Sequence, residues 1–543
     1  MKSRGPLLSI RDLTVSFRDS ITPAVSAVSF DIFAGETVAI VGESGSGKST
    51  TAAAVNRLLP VTANVSGSVV FDGQELTTAT ERHMMSIRGA GIGLVPQDPM
   101  SNLDPLMTVG NQVAEALRAH DQTLRERIGQ RVVELLDMVG IPDPARRARQ
   151  YPHEFSGGMR QRVLIAMALS CQPRLLIADE PTSALDVTVQ KRILDELAVL
   201  TSDLGTAVML ITHDLGIALE RADRVLVLQR GQIVEVGETG KILRDPEHAY
   251  TKQLLKAVPS FSAPRVAADR GRVSSPAIIK LVEVRKEFSL RPSAGQRSTT
   301  ILAVDDVNFE IRRGEAVSIV GESGSGKSTV ANILLGLERA TAGEIVVDDK
   351  QLSSLSRREL VAFRRKVQPV FQNPYASLDP RWRVVDSIIE PLRVHKIGNR
   401  ADQIARAMTL LDQVALSANT AKRYPHELSG GQQQRVAIAR ALALSPDLVV
   451  LDEAVSALDV LVQAQILDLL AELNTELNLS YLFISHDLAV VRLISDYVHV
   501  MRRGRIIESG TPEQIFDHPT SEYTKELLAA IPGIATGATD PDF

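Results

Sequence analysis

The chain has 543 residues, too many for one hydrophobic core, since single cores stop growing near about 250–300 residues. Its 60 Lys and Arg nearly balance 65 Asp and Glu, for a net charge of −5, which argues against a protein whose main affinity is for nucleic-acid phosphates. The single cysteine, Cys171, excludes an intrachain disulfide, a thiolate zinc cage and a Cys-ligated iron–sulfur cluster. It follows a helix-like run and is expected to be a small core residue. The first ten residues lack the apolar stretch of a signal peptide, and no run of 18 apolar residues occurs anywhere. The expectation is a cytosolic chain that spans no bilayer and reaches a membrane only by docking onto other subunits.

Thr37–Val41 reads as a buried strand, and Gly42–Ser49 then fits G-x-x-x-x-G-K-S. A loop of this type cradles anionic phosphates with its backbone N–H groups. Gly42, Gly45 and Gly47 allow the close approach, and Ser44 lies among them. The helix that follows adds its N-terminal dipole. Lys48 is expected to reach the β and γ phosphates of ATP, and Ser49, next to Thr50, to offer a hydroxyl to Mg2+. A Gly/Ser-rich surface turn is the bland alternative, and it fits poorly with the strand before and the helical pattern after.

Gln97 follows a strand-like run, and residues 110–140 read as helices set apart from the strands. Phe155-Ser156-Gly157-Gly158 opens a further helix. It offers a serine hydroxyl and two glycine N–H groups at a helix start, a second anion site; an ordinary N-capped helix is the alternative. The apolar strand Leu175–Ala178 ends in Asp179-Glu180. An acid at a buried strand end can hold Mg2+, and its neighbour can polarise a water, although a helix cap alone would explain the pair. The strand Val208–Thr212 ends at His213.

Residues 259–277 are polar, contain three prolines and lack helical periodicity, so they read as a linker. After it the whole series returns. The second phosphate loop carries Gly321, Ser323, Gly324, Gly326, Lys327, Ser328 and Thr329. Gln372, Ser429-Gly430-Gly431, Asp452-Glu453 and His486 follow in the same order, with the two lysines 279 residues apart and the two histidines 273 apart. This is the duplication of a domain, not a short solenoid repeat. The alternation of β-rich and helical runs predicts an α/β fold with a largely parallel sheet in each copy. The copies are expected over 5–258 and 278–531, with an irregular surface loop at Arg291–Thr300 and a flexible tail over 532–543.

The Ser-Gly-Gly turns, each shortly before its Asp-Glu, resemble the signature of ATP-binding-cassette proteins, and the likeness covers nearly the whole chain. It implies two tandem cassettes, each a P-loop NTPase core with a helical subdomain. Gln97 and Gln372 match the family's Q-loop, which senses Mg2+ and the attacking water. Ser183–Asp186 and Ser456–Asp459 match the D-loop, and His213 and His486 match the switch histidine. Phe17 and Phe288 stand where the family places an aromatic against adenine, though either could equally be core. The resemblance further implies head-to-tail closure, with each ATP held between one phosphate loop and the other cassette's signature.

Gln97–Pro105, Gln372–Pro380 and the Tyr-Pro-His-Glu before each signature look like the bacterial dipeptide, oligopeptide and nickel importers. So do the matching tails His248–Leu255 and Ser521–Leu528. That branch implies two transmembrane permease subunits, an extracytoplasmic substrate-binding protein reached through the complex, a position at the cytoplasmic face of the membrane and no nucleic-acid partner. Many members carry a cysteine-bearing extension linked to an iron–sulfur cluster, which is absent here. Peptides are the expected cargo, with nickel or glutathione as alternatives. A non-transport twin cassette would be expected to have a long charged linker or zinc modules, and an exporter ATPase to lack the tail.

Overall fold

The computed structural model of the protein describes residues 5–18, 22–120, 125–182, 185–258, 275–290, 299–456 and 458–531. It contains two compact units, one built on residues up to Val258 and the other mainly on those from 275 to 531.

In the first unit six strands lie in the order Gln232–Glu238, Arg224–Gln229, Thr37–Val41, Ala207–Ile211, Leu175–Asp179, Ile92–Val95. Every neighbouring pair is parallel except the first, which is antiparallel. The central strands are apolar along their length, as covering both faces of a parallel sheet requires, and Ile40, Ile177 and Met209 are fully buried. The second unit repeats this order with Arg505–Gly510, Tyr497–Arg502, Ala316–Val320, Ser480–Ile484, Leu448–Asp452 and Val367–Val370.

Each unit also has a four-stranded antiparallel sheet that the sequence reading did not anticipate. In the first it consists of Val25–Ile32, Leu8–Phe17, Ala63–Phe71 and Gln74–Glu75. Leu8, Ile10, Leu13 and Val15 of its second strand are buried between more exposed neighbours, the pattern of a sheet with one solvated face. In the second unit the equivalent strands begin earlier than expected. Ala277–Leu290 starts one residue inside the stretch read as linker, and Thr299–Arg312 starts inside the stretch read as a surface loop. The run Thr299-Thr300-Ile301 is β-branched and suits a strand. The rest of the expected linker and loop, at 259–274 and 291–298, and the expected tail at 532–543 lie outside the described residues.

A helical layer completes each unit. The helices Val109–Ala119, Ile128–Met138 and Gly157–Leu169 pack around Leu117, Leu135, Leu136 and Val163. Arg162 anchors the third of them by donating to the Val139 carbonyl at 2.6 Å. Arg435 does the same for Gly430–Leu442, donating to Val414 at 2.9 Å. Cys171 is buried beside the Ala116 carbonyl. Among the described residues no helix is long and apolar enough to cross a membrane.

Candidate nucleotide sites

In an open parallel sheet, ligands bind beyond the carboxyl ends of the strands, and both copies assemble the phosphate loop, the glutamine, the Asp-Glu pair and the histidine there. After Val41 the chain turns through Gly42, at φ 151°, and reaches Gly47, at φ 103°, the N-cap of the helix Lys48–Val55. A Cβ on Gly42 would lie 2.2 Å from the Leu228 carbonyl oxygen, and one on Gly321 would lie 2.1 Å from that of Met501, so no side chain fits either position. Lys48 is buried. Its Nζ donates to Gly42 O at 2.7 Å and Glu43 O at 2.8 Å. Lys327 donates to Gly321 O and Glu322 O, both at 2.8 Å. Burial lowers the Lys48 pKa, and the nearby Glu180 and Asp179 offset this only in part. Ser44, Gly45 and Ser49 are exposed and Thr50 is half-buried; Ser323, Gly324, Ser328 and Thr329 repeat this.

Ser49 Oγ donates to Asp179 Oδ1 at 3.1 Å, and Ser328 Oγ to Asp452 Oδ1 at 3.3 Å. Burial raises the pKa of both aspartates, with the adjacent glutamates pushing the same way. A hydroxyl beside a buried carboxylate is a hard-oxygen pair. It suits Mg2+, which is held by one or two carboxylates while substrate phosphates supply other ligands. Among the described residues no cluster of three or more His, Cys, Asp or Glu makes a protein-only metal cage.

Glu180 and Glu453 stand in the left-handed region, at φ 46° and 49°. For a non-glycine residue this conformation costs about 1–3 kcal/mol and persists where its surroundings enforce it. The enforcement comes from the neighbouring strand: each glutamate N–H donates across to it, Glu180 to Ile211 O at 2.8 Å and Glu453 to Ile484 O at 2.9 Å. The Glu180 carboxylate then accepts from Gln97 Nε2 at 2.6 Å and lies 3.0 Å from His213 Nδ1. Glu453 accepts from Gln372 Nε2 at 2.5 Å and lies 3.4 Å from His486 Nδ1. Burial alone would raise the Glu180 pKa, but His213, Lys48 and Gln97 together bring it below the ordinary value; at Glu453 the His486 contact is the largest cause of the same lowering. Burial disfavours a charged imidazole, yet the glutamates raise both histidines.

The signature turns are helix starts. Ser156 caps Gly157–Leu169 by accepting from Met159 N at 3.4 Å. Ser429 accepts from Gln432 N at 3.4 Å, and the Gln432 side chain accepts back from Ser429 N at 3.2 Å. Met159 has no oxygen with which to close that capping box. Capping does not exclude anion binding, because the serine accepts with a lone pair and keeps its own proton to donate. Gly157 and Gly430 are exposed, whereas a Cβ on Gly158 or Gly431 would press on Val189 or Val462.

The two aromatics differ. Phe17 packs partly against the antiparallel-sheet core, while Phe288 is exposed with Lys286 Nζ 4.8 Å from its ring centre. Of the D-loop residues, Ser183, Ala184 and Ala457 lie outside the described residues. Asp186 caps Val187–Leu204, accepting from Val189 N at 3.0 Å. Tyr250 and Tyr523 also reach the site, although no motif in the sequence marks them as site residues. Their hydroxyls accept from the phosphate-loop amides of Glu43 and Glu322, each at 3.1 Å. The only signal for them was the tail repeat that contains them.

A glycine cradle with a buried lysine, a Ser–Asp pair and a Glu–Gln–His network at the ends of parallel strands is the arrangement of a P-loop nucleoside-triphosphatase. A family model described as "ABC transporter" matches residues 25–183 and 304–456. A second, "Oligopeptide/dipeptide transporter, C-terminal region", matches 234–283 and 507–541. The chain belongs to the ABC transporter family; it is a twin-cassette ATPase that binds ATP and couples its hydrolysis to transport. It is similar to "Glutathione import ATP-binding protein GsiA" of Shigella dysenteriae, at 45% identity over 97% of this chain and 90% of that protein. The protein of the same name in Escherichia coli K12 is 44% identical over the same shares. "Peptidoglycan transport ATP-binding protein YejF" of Agrobacterium fabrum is 46% identical over 97% of this chain and 96% of its own length.

Proposed function

We propose that the chain is the energy-coupling ATPase of a bacterial importer of short peptides, acting at the cytoplasmic face of the membrane beneath two permease subunits fed by an extracytoplasmic binding protein. The observation that carries this is the recurrence of the oligopeptide/dipeptide tail region after each cassette. Glutathione, itself a tripeptide, belongs to the same chemical class, and the names of similar proteins favour it as a second candidate. The test is a deletion strain given labelled dipeptides, oligopeptides and glutathione in turn. Loss of uptake of at least one is expected. Normal uptake of all three beside lost nickel uptake would overturn the peptide reading.

Within each cassette, Lys48 and Lys327 hold the β and γ phosphates on the loop amides. Mg2+, when bound, supplies charge neutralisation on the phosphates, and Ser49 with Asp179, or Ser328 with Asp452, would hold it. Glu180 and Glu453 polarise the attacking water, with Gln97, His213, Gln372 and His486 orienting their carboxylates. Ser156-Gly157-Gly158 and Ser429-Gly430-Gly431 contribute hydroxyl and N–H donors to a nucleotide's γ-phosphate, and Phe17 and Phe288 contact adenine.

Permease docking is placed on the helical stretches after each Q-loop glutamine, roughly 99–117 and 374–392. Met100 and Leu106, just beyond Gln97, are 62% and 85% exposed, an apolar offering that supports this. Engineered cysteines there should cross-link to permease cytoplasmic loops. Cross-links confined to the surroundings of His248 or Tyr523 would contradict it.

A further inference from the structure

We propose that Tyr250 and Tyr523, on the tail helices Ala249–Ala257 and Glu522–Ala529, are positioning residues that set the first peptide plane of each phosphate loop. The Tyr250 hydroxyl accepts from Glu43 N at 3.1 Å. The carbonyl of that same peptide unit, Gly42 O, accepts from Lys48 Nζ at 2.7 Å. In a planar trans peptide the N–H and C=O point in opposite directions, so the tyrosine holds one edge of the plane and the lysine the other. The second unit repeats this with Tyr523 on Glu322 N at 3.1 Å and Lys327 on Gly321 O at 2.8 Å.

The plane needs such a restraint because the residue before it is a glycine with wide backbone freedom. Rotation of the plane would carry away the lysine's acceptor and move the ammonium that meets the phosphates. The tyrosines are suited to the task. Tyr250 is buried against Ala39, Val41, Ile242 and Leu254, and Tyr523 lies beneath the Arg502 guanidinium, 4.3 Å from its ring centre. Burial pushes the Tyr250 phenol up to about 12, so it stays a neutral hydroxyl. Each tail is in turn tied to its sheet. Glu235 accepts from Glu247 N at 2.8 Å and His248 N at 3.0 Å, and Glu508 accepts from Thr520 N at 2.7 Å and Ser521 N at 3.2 Å. The tail region that distinguishes this branch therefore reaches the loop amide directly.

The inference rests on ATP occupying the phosphate loops, so the experiment separates the two ideas. ATP binding to the full-length chain is measured by calorimetry for wild type, the K48A/K327A double variant and the Y250F/Y523F double variant, beside each thermal midpoint without nucleotide. Wild-type binding that K48A/K327A abolishes upholds the loop reading. The tyrosine proposal then expects Y250F/Y523F to weaken ATP about three- to tenfold at an unchanged midpoint, and to raise the ATP KM of the assembled transporter with kcat within twofold. Unchanged affinity, or a loss that only parallels a falling midpoint, would overturn it. Hydrogen exchange on the wild type is a second check independent of any variant: the Glu43 and Glu322 amides should be protected, and fast exchange at both would refute the proposal. Wild type that binds no ATP would overturn the loop reading and the tyrosine role with it.

Discussion

At the scale of single residues, the departures between the two copies are readable as letters but not as consequences. Met159 replaces the glutamine of the second signature, and the structure shows what is lost: the return bond of a capping box. Ser156→Ala and Ser429→Ala each remove one cap bond, because the return bond at Ser429 is donated by its backbone N–H, which alanine keeps. Helix-cap losses are about 1 kcal/mol, so thermal unfolding should show Ser429→Ala costing about as much as Ser156→Ala, while Gln432→Met removes the return bond alone. A much larger loss at one serine than at the other would contradict the cap geometry. Ala454-Val455 replaces Pro181-Thr182. Thr182 Oγ1 accepts from Gln190 Nε2 at 3.1 Å. Val455 cannot, and Gln463, the equivalent glutamine, donates instead to Asp487 Oδ2 at 3.3 Å. That rearrangement depends on side chains meeting across elements, which no spacing rule encodes. The loop glycines were legible because their chemistry is local. Gly42→Ala and Gly321→Ala should each lower ATP affinity at the altered loop at least tenfold, since the added carbon meets a backbone carbonyl that cannot move aside. Wild-type binding by either would show that the loop relaxes.

At the scale of elements, the parallel strands and the loop–helix turn were legible because long apolar runs ending in distinctive polar residues have few other readings. The antiparallel sheet was not. Its strands are half-buried and bulged, as the register shifts at Ile10–Leu13 show, and bulges break the alternation by which such strands are recognised. In the sequence the two tail helices are family marks alone, and only their packing reveals the contact with the loop. The tails also carry a pH dependence. Burial raises the Glu235 and Glu508 carboxyls, but the amides and hydroxyls donating to them bring both below the ordinary 4.5. A carboxylate whose folded pKa is lowered contributes stability above its unfolded value and loses it as pH falls through the folded one. The tail helices should therefore keep their hydrogen-exchange protection at neutral pH and lose it progressively below about pH 4.5, with E235Q and E508Q showing weaker protection already at pH 7. Protection that is insensitive to both acid and substitution would remove the glutamates from this role.

At the scale of the whole molecule, the duplication poses the question of whether both copies work. Some twin cassettes keep one degenerate site, yet here each unit retains the buried lysine, the Ser–Asp pair, the left-handed glutamate and its glutamine and histidine contacts. The differences lie at a helix cap and behind the glutamate, away from the hydrogen bonds that hold these groups. Alone, the chain is expected to hydrolyse ATP slowly, and faster in an assembled transporter, because the proposed permease docking would hold the proposed catalytic groups in register. Equal rates with and without permeases would contradict that coupling. The most direct test of the central claim is steady-state ATP hydrolysis by the assembled transporter carrying Glu180→Gln or Glu453→Gln. Each substitution keeps the phosphate cradle and removes the carboxylate, so each should retain nucleotide binding and reduce turnover at least tenfold, which is about 1.4 kcal/mol of barrier or more. One variant near wild-type turnover while the other is inactive would show that only one of the two cassettes hydrolyses ATP.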